Sequence, residues 1–192
     1  MKKLPVVAAL TVTSLAAQSA FAHPGHDVAS GAIAGLMHPW TGVDHLIAFI
    51  GIGALLGLAT VRVRVCGVAT LLAALAIGAG LALARVVLPA SEWMIALSVL
   101  VAGLMLVKSG GTQPALLIGG AAVFALFHGY AHGTEITGDA AAFVAAFLAS
   151  SAAIVALSMF ASRIFIERQI ARITLGAGTS MAGLALLSAH LL

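Results

Sequence analysis

The sequence predicts an all-α fold: a polytopic membrane helix bundle with six transmembrane helices after removal of a signal peptide. Three observations predict it. The 192 residues are 62% hydrophobic and 8% charged, with a mean hydropathy of +1.16. A soluble domain carries about 25% charged residues, so this chain could not cover a water-facing surface with polar groups. Second, the chain holds six apolar segments close to the ~20 residues that cross a 30 Å hydrocarbon core as a helix. Third, these segments lack the alternation of a barrel strand, and lipid satisfies no open backbone hydrogen bond, which leaves helices.

Residues 1–22 read as a secretory signal peptide. Lys2 and Lys3 form its basic region, Leu4 to Ala17 its apolar stretch, and Ala20-Phe21-Ala22 its cleavage site. Cleavage leaves His23-Pro24-Gly25-His26-Asp27 as the mature N-terminus. Two readings stand for it: a chelating end, with the amine and imidazole of His23 near His26, or a polar lead into the membrane. The remainder, residues 23–192, reads as one six-helix transmembrane domain. Residues 28–37 are a Gly/Ala-rich lead-in, either an interfacial turn of helix or an extension of the first span. The spans are expected over residues 40–60, 65–86, 92–108, 113–132, 139–161 and 170–190. Their many glycines and alanines let helices approach closely, so their default reading is packing.

Charge sets the topology. With the mature N-terminus outside, Arg62, Arg64, Lys108, Arg163, Arg168 and Arg172 fall in inner loops and Arg85 alone in an outer one. Asp27, Asp44, Glu92, Glu135 and Asp139 fall at or near the outer side, with Glu167 inside. All seven histidines map to outer halves or outer ends of helices. A mouth lined with carboxylates and imidazoles concentrates cations and offers them ligands. The scattered basic residues form no patch for nucleic acid, and no nucleotide-binding loop is present to drive transport with ATP. Cys66, the single cysteine, permits no disulfide framework and reads as a small buried residue.

Two constellations carry the chemistry. The first is His38-Pro39-Trp40-Thr41-Gly42-Val43-Asp44-His45. Pro39 disfavours helical geometry at His38, so a helix is expected to begin at or just after the proline. A break there would let His38 turn inward and join Asp44. Asp44 and His45 are adjacent and point about 100° apart on a helix, so one is expected to be a direct ligand and the other its support. The second constellation is His128-Gly129-Tyr130-Ala131-His132-Gly133-Thr134-Glu135. Here His128, His132 and Glu135 share one stripe if the helix persists that far. Glu92 has two readings: an acid complementing a helix dipole behind a Ser91 cap, or a ligand or proton acceptor on the outer rim. His190 reads as interfacial, and Met37, Met94 and Met105 as packing. Trp40, Trp93 and Tyr130 read as an aromatic belt.

On these motifs the sequence resembles the HupE/UreJ family, membrane accessory proteins of nickel hydrogenases and ureases. The match is HPWTGVDH at 38–45, of the form H-P-x-x-G-x-D-H, together with HGYAHGTE at 128–135. Signal peptide, span number and length fit as well. The resemblance implies a nickel permease of the bacterial inner membrane, with the family's metal-handling residues falling on His38, Asp44, Glu92, His132 and Glu135. It favours Asp44 over His45 as direct ligand and moves Glu92 towards function. Residues 23–192 are then a metal-transport domain, with His38, Asp44, His45, Glu92, His128, His132 and Glu135 as the metal-handling set. Ni(II), or Co(II), is its cargo rather than a resident cofactor, no catalytic residue is expected, and nickel-enzyme maturation machinery is the partner implied. Two other classes use the same side chains: a membrane zinc hydrolase, and a bis-histidine haem protein on His45 and His128.

Overall fold

Seven helices follow one another in the computed structural model, which describes residues 31–108, 113–165 and 168–191. They are α1 (Gly31–Thr41), α2 (Val43–Gly57), α3 (Val61–Leu83), α4 (Ser91–Lys108), α5 (Pro114–Thr134), α6 (Ala140–Phe165) and α7 (Gln169–Ala189). The expected signal peptide, and His23 and His26 with it, lie outside the described residues. α3 to α7 are each long and apolar enough to cross a membrane, and the pair α1–α2 qualifies together as a sixth, bent span. The protein is therefore an all-helical, multi-pass membrane protein.

The helix starts are local chemistry. Thr60 accepts from the Val63 amide ahead of α3, Asp139 accepts from the Ala142 amide at 2.7 Å ahead of α6, and Pro114 opens α5 where its missing N–H costs nothing. At α4 the cap is Ala90 rather than the expected Ser91. Its carbonyl takes the first helical bond, from the Met94 amide at 3.0 Å, and Ser91 is already inside the helix.

The first span departs from expectation. Pro39 lies within α1 and starts nothing; the break falls at Gly42, where the chain turns by 74° into α2. Proline does cost α1 one helical bond. Tertiary contacts carry the helix past it. The Ser150 hydroxyl donates to the Leu36 carbonyl at 2.7 Å, and the Trp40 indole N–H donates to that same hydroxyl at 2.7 Å. Beyond the proline, the Thr41 hydroxyl and the Gly42 amide both donate to the His38 carbonyl, at 3.1 and 3.2 Å. Extended backbone at Gly42 then ends the helix.

Both halves of this broken span run along α6. A Cβ at Gly35 would overlap the backbone of Phe143, and one at Gly57 would meet Met159 and Ser162. Such contact distances are what small residues permit between membrane helices, where dispersion and hydrogen bonds replace the hydrophobic drive. α3 packs on α5, and α4 on α7, in the same manner. The interior between them is filled by Phe49, Leu56, Leu71, Leu75, Leu106, Phe147 and Val155, all fully buried. Large apolar side chains such as Val65, Ile77, Leu116, Phe160 and Met181 point outward, as lipid-facing positions require. Cys66 is exposed among them, against the expectation of burial. In a membrane helix an apolar side chain is as well solvated by lipid as by the core, so polarity does not tell the two apart.

Candidate metal centre

α5 supplies the base of the site. His128 and His132, four residues apart, share one face and are each about 1% exposed. Gly129 and Gly133 allow this: a Cβ at the first would overlap Leu75, and at the second Ala79 and Ala82, so α5 lies directly on α3. α5 ends at Thr134, whose hydroxyl donates to the Ala131 carbonyl at 2.6 Å. Glu135 is the residue at the helix C-cap, which puts its carboxylate on the rim with a side chain 58% exposed.

α1 brings His38 to that rim. Its Nε2 lies 2.8 Å from Oε2 of Glu135, and its ring meets the ring of His132 edge-on with centroids 4.5 Å apart. The hydrogen bond from His38 holds the Glu135 carboxyl below its ordinary value, with burial opposing. His38, His132 and Glu135 each offer one ligand atom, and these atoms lie within 4.8 Å of one another. Metal–nitrogen and metal–oxygen bonds are about 2.0–2.2 Å, so three ligands sharing one ion stand roughly 3–3.5 Å apart. Side-chain adjustments of about an ångström close that gap.

α2 adds His45, whose ring lies 4.1 Å from that of His132 and 4.8 Å from that of His128. The four imidazoles thus form a continuous column, in the order His38, His132, His45, His128. Phenyl rings wall it. Phe147 stands 4.3 Å from His132, Phe143 5.9 Å from His38 and Phe49 5.5 Å from His128. Nothing in the sequence singled out these three phenylalanines, which look like ordinary core residues in apolar runs.

Asp44 does not join His38. Its Oδ1 accepts from the backbone N–H of His45 at 2.9 Å and faces the Nδ1 of the same residue at 2.8 Å. The reason is the shifted break: with α1 continuing past Pro39, His38 turns to α5, and Asp44 opens α2 beside its neighbour. Glu92 is exposed in the first turn of α4 and makes no hydrogen bond or ion pair with the column among the described residues. Beside it Trp93 stacks near His190, with centroids 5.6 Å apart.

Fold and site together define the class: a multi-pass helical membrane protein with an imidazole–carboxylate cluster opening at one end of a broken span. Comparison with known proteins narrows this. The chain belongs to the HupE/UreJ family, whose model, described as HupE / UreJ protein, matches residues 10–186. It is also similar to Protein HupE of Rhizobium leguminosarum bv. viciae, with 32% identity over 188 residues that cover 92% of this chain and 95% of that relative. No solved structure gives a significant match.

Proposed function

We propose that this protein is a channel-like or secondary permease that imports Ni(II), with Co(II) as alternative cargo, across the bacterial inner membrane. The mature N-terminus is outside, the imported metal supplies nickel-enzyme maturation, and the protein is not an enzyme. The family is associated with nickel and cobalt transport for hydrogenase and urease. The single observation that carries the reading is the trio His38, His132 and Glu135, whose ligand atoms lie within 4.8 Å of one another at the mouth of a membrane bundle.

The donor chemistry supports it. Two imidazoles and a carboxylate suit borderline divalent ions, and affinity order alone would favour copper over nickel. Selectivity therefore has to come from geometry and an incomplete protein shell that leaves positions to water. The trio spans two segments: His38 lies on a short helix behind a hinge at Gly42, and His132 and Glu135 lie at the end of α5 and its cap. Ligands on separate elements can part, and a transporter needs that in order to let go. Glu92 serves as a rim charge that draws cations to the mouth.

The test is accumulation of labelled nickel in cells, against competing cobalt, zinc and copper, at two external pH values. Saturable uptake inhibited by cobalt is expected, and His132→Ala, present in the membrane at normal level, should lose it. Nickel accumulation no greater than in cells lacking the protein sinks the import reading. Undiminished uptake by the His132 variant sinks the site assignment.

A further inference from the structure

The ring nitrogens below the rim trio are unaccounted for. His45 is 8% exposed and His128 1%, yet the Nε2 atoms of both have no hydrogen-bond partner among the described residues. The same holds for both ring nitrogens of His132. Buried polar atoms are nearly always paired, and each exception demands a cause.

The other nitrogen of each histidine says what the cause is. Nδ1 of His45 stands 2.8 Å from the Asp44 carboxylate, and Nδ1 of His128 stands 2.9 Å from the Phe124 carbonyl. Carboxylate and carbonyl oxygens only accept, so both Nδ1 atoms carry the ring proton. Both Nε2 atoms are thereby left with bare lone pairs in the buried interior, with the rings held in orientation. A histidine whose far nitrogen donates to a carboxylate or a backbone carbonyl is the arrangement found around bound metals. Two rings sharing one ion at about 2.0–2.1 Å per nitrogen have centroids roughly 4.5–5 Å apart. The observed separation of His45 and His128 is 4.8 Å.

We propose that the column holds a second, deeper metal station, formed by Nε2 of His45 and Nε2 of His128. It rests on the metal-transport reading and deepens it. The rim station is mixed imidazole and carboxylate and half open to solvent. The inner station is all imidazole and buried, and an ion passes down the column from the rim by exchanging His38 and Glu135 for His45 and His128. Asp44 is a positioning residue here: it holds His45 and does not itself touch the ion.

The test uses the full chain in lipid nanodiscs with Ni(II) alone as probe. It reads binding stoichiometry at equilibrium, and imidazole count by X-ray absorption. The double variant His38→Ala/Glu135→Gln is expected to keep one Ni(II) with only nitrogen and water ligands. Adding His128→Ala, or His128→Gln should the first not fold, removes that ion. Asp44→Ala in the same background should weaken binding by about 10–100-fold, with Asp44→Asn, which keeps the acceptor oxygen, recovering part of it. A folded double variant that binds no Ni(II) overturns the proposal, and so does affinity unchanged by Asp44→Ala. Failure of nickel uptake by cells carrying the wild-type protein refutes import but leaves this stoichiometry as measured, so the two readings fail separately.

Discussion

Trp40 and Ser150 are bound to each other across the broken span: the indole N–H donates to the serine hydroxyl at 2.7 Å, and that hydroxyl donates on to the Leu36 carbonyl at 2.7 Å. His38 lies between Leu36 and Trp40, so this relay sets where its ring stands. Ser150→Ala removes two hydrogen bonds, about 1–3 kcal/mol in all. That is enough to loosen α1 without unfolding a six-span bundle. Nickel uptake should fall several-fold while the amount of protein in the membrane holds. Uptake at the wild-type level would show that α1 is held by its glycine contacts alone.

The same kind of close contact fixes α5 on α3. A Cβ at Gly129 overlaps the Leu75 backbone, whereas one at Gly119 meets nothing within 4 Å. Overpacking of this kind costs about 1–3 kcal/mol or more. Alanine at an exposed helical position replaces glycine with a gain of up to about 1 kcal/mol. Gly129→Ala should therefore lower the thermal midpoint of the purified protein and Gly119→Ala should leave it unchanged or raise it. Equal effects at the two positions would contradict the helix contact described here.

How far this was legible in the sequence depends on the kind of force involved. The spans were readable because hydrocarbon thickness and backbone satisfaction leave no alternative to helices of about 20 residues. α3 to α7 fall within a few residues of the expected segments. Both histidine motifs could be placed at one end of the bundle by charge asymmetry. The fate of Pro39 could not, because the bonds that carry α1 past it come from Ser150, far along the chain. The partner of Asp44 follows for the same reason: moving the break from Pro39 to Gly42 changes which side chains meet. Cys66 was expected inside on grounds that hold in water and fail in lipid.

Glu92 separates attraction from coordination. It is exposed at the start of α4 and has no bonded contact with the imidazole column among the described residues. A rim carboxylate raises the local concentration of a dication, an effect that salt screens over about 10 Å at 0.1 M. Glu92→Gln should thus keep the full Ni(II) binding stoichiometry but slow uptake at low nickel. The deficit should shrink as ionic strength rises. A lost equivalent of bound Ni(II) would instead make Glu92 a ligand.

Acid should release the metal through the imidazoles before it does so through the rim carboxylate. The hydrogen bond from His38 lowers the Glu135 carboxyl below its ordinary value, although burial works against it. For an acid with a lowered value, the favourable pairing is complete above the ordinary carboxylate range and is lost only as pH falls through the lowered one. Glu135 therefore stays an anionic ligand throughout mildly acidic conditions. Imidazole ligands must be deprotonated to bind, so protons compete with the metal for the same nitrogens. Ni(II) binding by the purified protein should accordingly fall as the pH is lowered. Glu135→Gln should bind more weakly at every pH, yet lose its metal with the same acid midpoint as the wild type. Were the variant's midpoint displaced by a full pH unit, the rim carboxylate rather than the histidines would be the group that acid switches.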